Sequence, residues 1–152
     1  MISTPIVVLL VEDNPDHVEL IRRGIAEHGE PSHLKAVQDG QAALEYLENL
    51  GPPERTAGNP RPDLILLDLR LPKRDGLEVL ERIKSDQRTR SIPVVILTTS
   101  DSETDISSAY QTHANSYLVK PLSFDLFTRL MSDLAQYWLR WNRYARPQEV
   151  SQ

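Results

Sequence analysis

The sequence predicts an α/β protein: a doubly wound (βα)5 domain of flavodoxin-like architecture, with a parallel sheet in the order 2-1-3-4-5 and helices on both faces. Three observations predict it. Short runs of β-branched and aliphatic residues, Ile6 to Val11, Asp63 to Asp68 and Ile92 to Leu97, alternate along the chain with segments of helical periodicity. Those runs are apolar throughout rather than alternating, which suits strands covered on both faces. Strands of that kind are joined by right-handed crossovers that return over the sheet, so the intervening helices must coat both of its sides.

The elements follow in order. Ile6-Val-Val-Leu-Leu-Val11 stops at Glu12-Asp13-Asn14-Pro15, where Asn14 suits a helix N-cap and Pro15 the first helical position. Val18, Leu20, Ile21 and Ile25 supply an apolar stripe up to Gly29. His33 to Gln38 reads as a modest strand, Asp39-Gly40 as a turn and cap, and Ala42 to Leu50 as a helix with Leu44 and Leu47 inward. Gly51 to Pro62 holds four prolines and two glycines, so it is expected to be a surface loop, either a contact loop or a tolerated insertion. Asp63 to Asp68 is a buried strand, Leu69 to Asp75 a loop, and Gly76 opens a helix running from Leu77 to Asp86. After the strand Ile92 to Leu97, whose proline lies near its start, Glu103 to Thr112 forms a helix rich in Ser, Thr and Asp and therefore the softest element. Ser116 to Val119 is the last strand. From Ser123 one long amphipathic helix is predicted, with Phe124, Phe127, Leu130, Met131, Leu134, Trp138 and Trp141 spaced by threes and fours.

Composition limits what such a domain can be. The chain has 152 residues, 39% of them hydrophobic and 26% charged, enough for one domain that buries about 68–70% of its unfolded surface. It contains no cysteine, which removes disulfides, zinc-thiolate sites and thiol nucleophiles together. No apolar stretch approaches the ~20 residues needed to span a bilayer, and no signal peptide opens the chain, so the expected location is cytoplasmic and away from the membrane. Twenty-two acidic residues against 17 basic ones give a formal charge of -5, a field that repels nucleic-acid phosphates. The expected domain spans residues 5–145, followed by a tail, 146–152, with no output domain.

Chemistry gathers at the strand ends. Glu12 and Asp13 follow the first apolar strand, and Asp68 closes the third. In open doubly wound sheets ligands bind outside the carboxyl ends of the strands where strand order reverses, here between strands one and three, so all three carboxylates should meet. Clustered acids call for a positive neighbour, and hard oxygen ligands with room for water suit Mg²⁺. Thr98 ends the fourth strand and Lys120 the fifth, 30 and 52 residues beyond Asp68. A carboxylate, a divalent cation, a hydroxyl and a lysine are the parts needed to accept and hold a phosphoryl group, with Asp68 as nucleophile.

At these residues the chain resembles the receiver domain of two-component response regulators, the CheY-like family. Glu12-Asp13, Asp68, Thr98 and Lys120-Pro121 match the family's motif in identity, order and spacing. The resemblance implies that Asp68 takes a phosphoryl group from the phosphohistidine of a histidine kinase. It implies that Asp13, Asp68 and the backbone carbonyl of Arg70 ligate Mg²⁺ or Mn²⁺, with Glu12 acting through water, and that Thr98 and Lys120 bind phosphoryl oxygens. It also implies a cis peptide at Lys120-Pro121 and a switch in which Thr98 moves toward the phosphoryl group and Tyr117 turns inward. Thr99 stands where many members carry Ala, and Arg70 places a bulky cation at the mouth of the site. The Arg-Pro-Asp-Leu-Ile-Leu-Leu-Asp-Leu run, the Ile92-Pro-Val-Val segment and the Trp-bearing last helix are similar to single-domain regulators paired with bacterial phytochrome histidine kinases, which implies such a kinase as partner.

Three other classes share parts of this pattern. A phosphatase or dehalogenase with an Asp nucleophile would begin Asp-x-Asp, where Asp68-Leu69-Arg70 lacks the second acid. A flavodoxin-like cofactor binder needs a phosphate cradle after the first strand, where this chain has carboxylates. An adaptor that is never phosphorylated would keep the whole motif. The four histidines, His17, His28, His33 and His113, have no ligand spacing and are read as surface residues, His17 alternatively as a kinase contact. Six of the nine aromatic residues crowd the C-terminal helix, more than a sheet cover uses. Tyr137, Trp138 and Trp141 are therefore expected at a homodimer interface formed by the fourth helix, fifth strand and fifth helix.

Overall fold

A computed structural model of the chain describes residues 5–28, 32–52 and 58–145. Five parallel strands, β1 (Ile6–Val11), β2 (Ser32–Val37), β3 (Leu64–Leu67), β4 (Val94–Thr98) and β5 (Ser116–Val119), lie in the order β2-β1-β3-β4-β5. Five helices alternate with them: α1 (Pro15–His28), α2 (Gly40–Glu48), α3 (Gly76–Ser85), α4 (Glu103–Gln111) and α5 (Phe124–Ala135). The doubly wound sheet expected from the apolar runs is therefore present in the expected order.

From Val8 on, the three central strands have almost no accessible surface, because each of their faces is coated. One face carries Leu9, Val11, Ile65, Leu67, Val94 and Ile96 against α2, α3 and α4 through Leu44, Leu47, Leu80, Ile83 and Ala109. The opposite face carries Val8, Leu10, Leu64, Leu66, Val95 and Leu97 against α1 and α5 through Ile21, Ile25, Phe127, Met131 and Leu134. The edge strand β2 alternates between half-buried and exposed positions over its first four residues, which is why its apolar signal is the weakest of the five. Helix starts follow their capping chemistry: Asp39 accepts from the Ala42 N–H at 2.7 Å, Ser102 from Asp105 and Ser123 from Leu126.

One expectation needs correction. The last helix is not α-helical to its end: after Ala135 the chain widens into a π-helical segment, Gln136–Trp141. Phe127, Met131, Leu134 and Ala135 are buried in α5, and Leu139, 1% exposed, is the buried residue of the π-helical segment. The hydrogen bond of a π turn runs five residues back, and Asn142 N donates in that way to the Tyr137 carbonyl at 2.7 Å. The Pro-rich stretch is more firmly tied than a free loop. Leu50 bridges Asn59, Tyr46 donates its hydroxyl to the Pro60 carbonyl at 2.7 Å, and Asn59 Nδ2 donates to the Tyr46 carbonyl. Residues 53–57 of that stretch, the Gly29 helix stop and the tail 146–152 lie outside the described residues.

Candidate functional site at the carboxyl edge of the sheet

The register of the sheet sets the site. Val11 lies between Val37 of β2 and Leu67 of β3, so the residues that follow β1 and β3 emerge side by side. Glu12 N donates to the Val37 carbonyl at 3.0 Å and Asp68 N to the Val11 carbonyl at 3.1 Å, which carries the ladder one residue beyond each strand. On the other side Lys120 N donates to the Thr98 carbonyl at 2.7 Å. Five side chains from four strand ends thus share one edge.

Carboxylate oxygens of Glu12, Asp13 and Asp68 lie within 4.8 Å of one another. Glu12 and Asp68 are buried and Asp13 is exposed. Lys120, also buried, reaches into the cluster: its Nζ donates to Glu12 Oε1 at 2.5 Å and to Asp68 Oδ2 at 2.9 Å. Burial pushes the Glu12 carboxyl up, against the lowering pull of Lys120. Three carboxylates against one ammonium leave a formal excess of two negative charges, and the donor set is all hard oxygen with one exposed member. That set fits a divalent cation of the Mg²⁺ or Mn²⁺ kind.

Thr98 is fully buried, and its Oγ1 accepts from Ser100 N at 3.5 Å. Tyr117, in register with Ile96, is half-buried and donates its hydroxyl to the Ser100 carbonyl at 2.9 Å. Arg70 turns its exposed side chain away from the carboxylates to pair with Asp105 in the first turn of α4, and Asp105 also accepts from Ser100 Oγ at 2.6 Å. Asp105, which the sequence did not single out, therefore ties the loop after β3 to the loop after β4. The peptide at Lys120-Pro121, expected cis, is trans, as are all peptides among the described residues; the trans form is the intrinsically favoured one, and Lys120 reaches both acids from it.

His17 departs most from its sequence reading. Rather than standing on the surface, it leans from the first turn of α1 over the end of β5, with Nδ1 3.0 Å from Lys120 Nζ. Burial, with the Lys120 charge behind it, holds the imidazole below its ordinary value. Only the meeting of α1 with β5 produces that contact, and no spacing in the chain signals it. Of the aromatics assigned to an interface, Tyr137 and Trp141 are exposed. Trp138 instead packs half-buried against the core and its carbonyl accepts the Tyr144 hydroxyl at 2.6 Å, so Tyr144 folds back on the helix end.

Comparison with known proteins places this arrangement. A profile of the response regulator receiver domain matches residues 8–131. The chain belongs to the response regulator receiver family. It is 48% identical over 94% of its length to the "Probable methanogenesis regulatory protein FilR2" of Methanothrix harundinacea, 90% of which is covered. The response regulator Rcp1 of Synechocystis is 39% identical over 90% of this chain and 91% of that one. The crystal structure of its Mn²⁺-bound form superposes with a TM-score of 0.86 at 37% identity, covering 93% of this chain and all of that one. The phosphorylated cyanobacterial phytochrome response regulator RcpA superposes with a TM-score of 0.85 at 38% identity, over 94% of this receiver and all of that chain. Receivers of this family are signalling proteins, and no helix among the described residues is long and apolar enough to cross a membrane.

Proposed function

We propose that this receiver accepts a phosphoryl group on Asp68 from the phosphohistidine of a histidine kinase and changes its partner-binding surface in response. The juxtaposition of Asp68 with Glu12, Asp13 and Lys120 carries the reading. Asp68 Oδ1 already accepts from Arg70 N at 3.1 Å and Oδ2 from Lys120, which fixes the carboxylate for in-line attack on phosphorus. Asp13, Asp68 and the Arg70 carbonyl would hold Mg²⁺ or Mn²⁺, with Glu12 acting through water. The cation would neutralise charge on the transferring group. As the bond from phosphorus to the donor nitrogen breaks and the bond to Asp68 forms, Thr98 and Lys120 take up the phosphoryl oxygens. Hydrolysis of the aspartyl phosphate in the same site would reset the protein, which makes self-catalysed transfer and dephosphorylation its only chemistry.

The new charge draws Thr98 toward it, and Tyr117 turns inward, remodelling the surface of α4 and β5. That surface, with α5 and the exposed Tyr137 and Trp141, forms a homodimer in this reading. The protein works in the cytoplasm without nucleic acid or membrane. The likeness to the phytochrome response regulator RcpA supports a phytochrome-type kinase as the donor, whereas the greater identity to FilR2, a probable methanogenesis regulatory protein, points to no phytochrome. The test is transfer of labelled phosphoryl group from a panel of autophosphorylated histidine kinases, bacteriophytochromes included. Rapid labelling of wild type, absent in Asp68→Asn, is the expected result. Binding of a kinase with no labelling from any donor would replace this reading with an unphosphorylated adaptor.

A further inference from the structure

Lys120 has three ammonium hydrogens, and three acceptors stand around them: Glu12 Oε1 at 2.5 Å, Asp68 Oδ2 at 2.9 Å and His17 Nδ1 at 3.0 Å. An ammonium can only donate, so Nδ1 must present its lone pair and the ring proton sits on Nε2. A neutral acceptor differs in kind from the other two. It directs one hydrogen without adding a fourth negative charge to a cluster that already has an excess. The ring's own place is fixed by α5, where the Phe127 ring lies 5.5 Å away, centroid to centroid, at 42°. The His17 side chain is 26% exposed, the Lys120 side chain 1%, so the imidazole stands between Nζ and solvent.

We propose that His17 is a positioning residue for Lys120, its Nδ1 holding the ammonium in line with the oxygens of Asp68. This rests on the reading of Asp68 as phosphoacceptor. When Asp68 is phosphorylated, the hydrogen now on Asp68 Oδ2 must redirect to a phosphoryl oxygen. With Glu12 and His17 retained as two fixed contacts, Nζ pivots over a short arc instead of searching through rotamers. Without His17 the third hydrogen turns to water and the ammonium is free to follow it outward.

Two variants separate the hydrogen bond from the packing. His17→Phe keeps a ring on Phe127 and loses the acceptor; His17→Asn loses the ring and can present Oδ1 close to the place of Nδ1. Two readouts apply: the NMR resonance of the Lys120 ε-carbon in the unphosphorylated protein, and the initial rate of phosphorylation by acetyl phosphate with Mg²⁺. Loss of one hydrogen bond to a charged group predicts a rate roughly tenfold lower in His17→Phe, with a shifted Lys120 resonance, and His17→Asn within about threefold of wild type. An unshifted Lys120 resonance in His17→Phe would overturn the proposal. So would a wild-type rate in His17→Phe beside a slow His17→Asn, since packing alone would then be at work. If the wild type takes no phosphoryl group, the phosphoacceptor reading fails separately, and the Lys120 resonance still decides the contact.

Discussion

Glu12 and Lys120 are charged side chains with almost no access to water, and each is tolerable only because the other is present. Truncating one partner of such a pair strands the remaining charge, at a cost of about 3 kcal/mol. Lys120→Met is accordingly expected to lower the urea midpoint in metal-free buffer, with Mg²⁺ restoring part of the loss by replacing the missing positive charge. A divalent cation should also raise the wild-type melting temperature, by linkage to the folded state. Asp13→Asn should abolish that rise, a difference read by thermal denaturation with and without Mn²⁺. His17 adds a pH dependence. Burial and Lys120 hold it below its ordinary value of 6.5, so as pH falls below 6.5 the unfolded chain takes up the proton first and stability declines until the lower folded value is reached. His17→Phe should remove that decline from an acid titration of stability. The acids and Lys120 were legible in the sequence because they follow apolar strands, and their meeting is a matter of strand order. His17 and Asp105 were not, because each meets the site by the tilt of a helix across a strand end.

At the scale of elements, close approach decides more than propensity. Gly76, the first residue of α3, packs against the chain just after β3 so tightly that a Cβ there would lie 2.4 Å from the Asp68 carbonyl oxygen and 2.5 Å from Leu69 Cα. These neighbours are backbone and cannot turn aside. Gly76→Ala should therefore cost about 1–3 kcal/mol in stability and slow phosphorylation by displacing Asp68; chemical denaturation and the acetyl phosphate reaction would read the two effects. The sequence marked Gly76 as a helix start but not as a contact, since nothing along the chain shows what faces a missing side chain. The π-helical turn after α5 was equally hidden: the apolar stripe read from the sequence runs through Trp138, whereas the structure buries Leu139. Leu139→Ala should cost about 2–5 kcal/mol, as for a buried leucine, and Trp141→Ala close to nothing in the monomer.

For the whole molecule, a few rules give the architecture: buried strands are parallel, crossovers are right-handed, and helices must coat both faces, while the order β2-β1-β3-β4-β5 is what the resemblance to receivers implied and the structure has. That made the layered fold and the location of the site readable before any coordinate, while the turn of Trp138 toward the core depended on packing that sequence does not encode locally. The exposed Tyr137 and Trp141 lead to a prediction at this scale. Sedimentation should show self-association at roughly micromolar concentration, weakened in Trp141→Ala. The account stands most directly on Asp68. Intact-mass spectrometry after incubation with Mg²⁺ and acetyl phosphate should find one added phosphoryl group on the wild type, none without metal and none on Asp68→Asn. A wild type that stays unmodified with a range of small donors, or an Asp68→Asn chain that is modified equally, would contradict it.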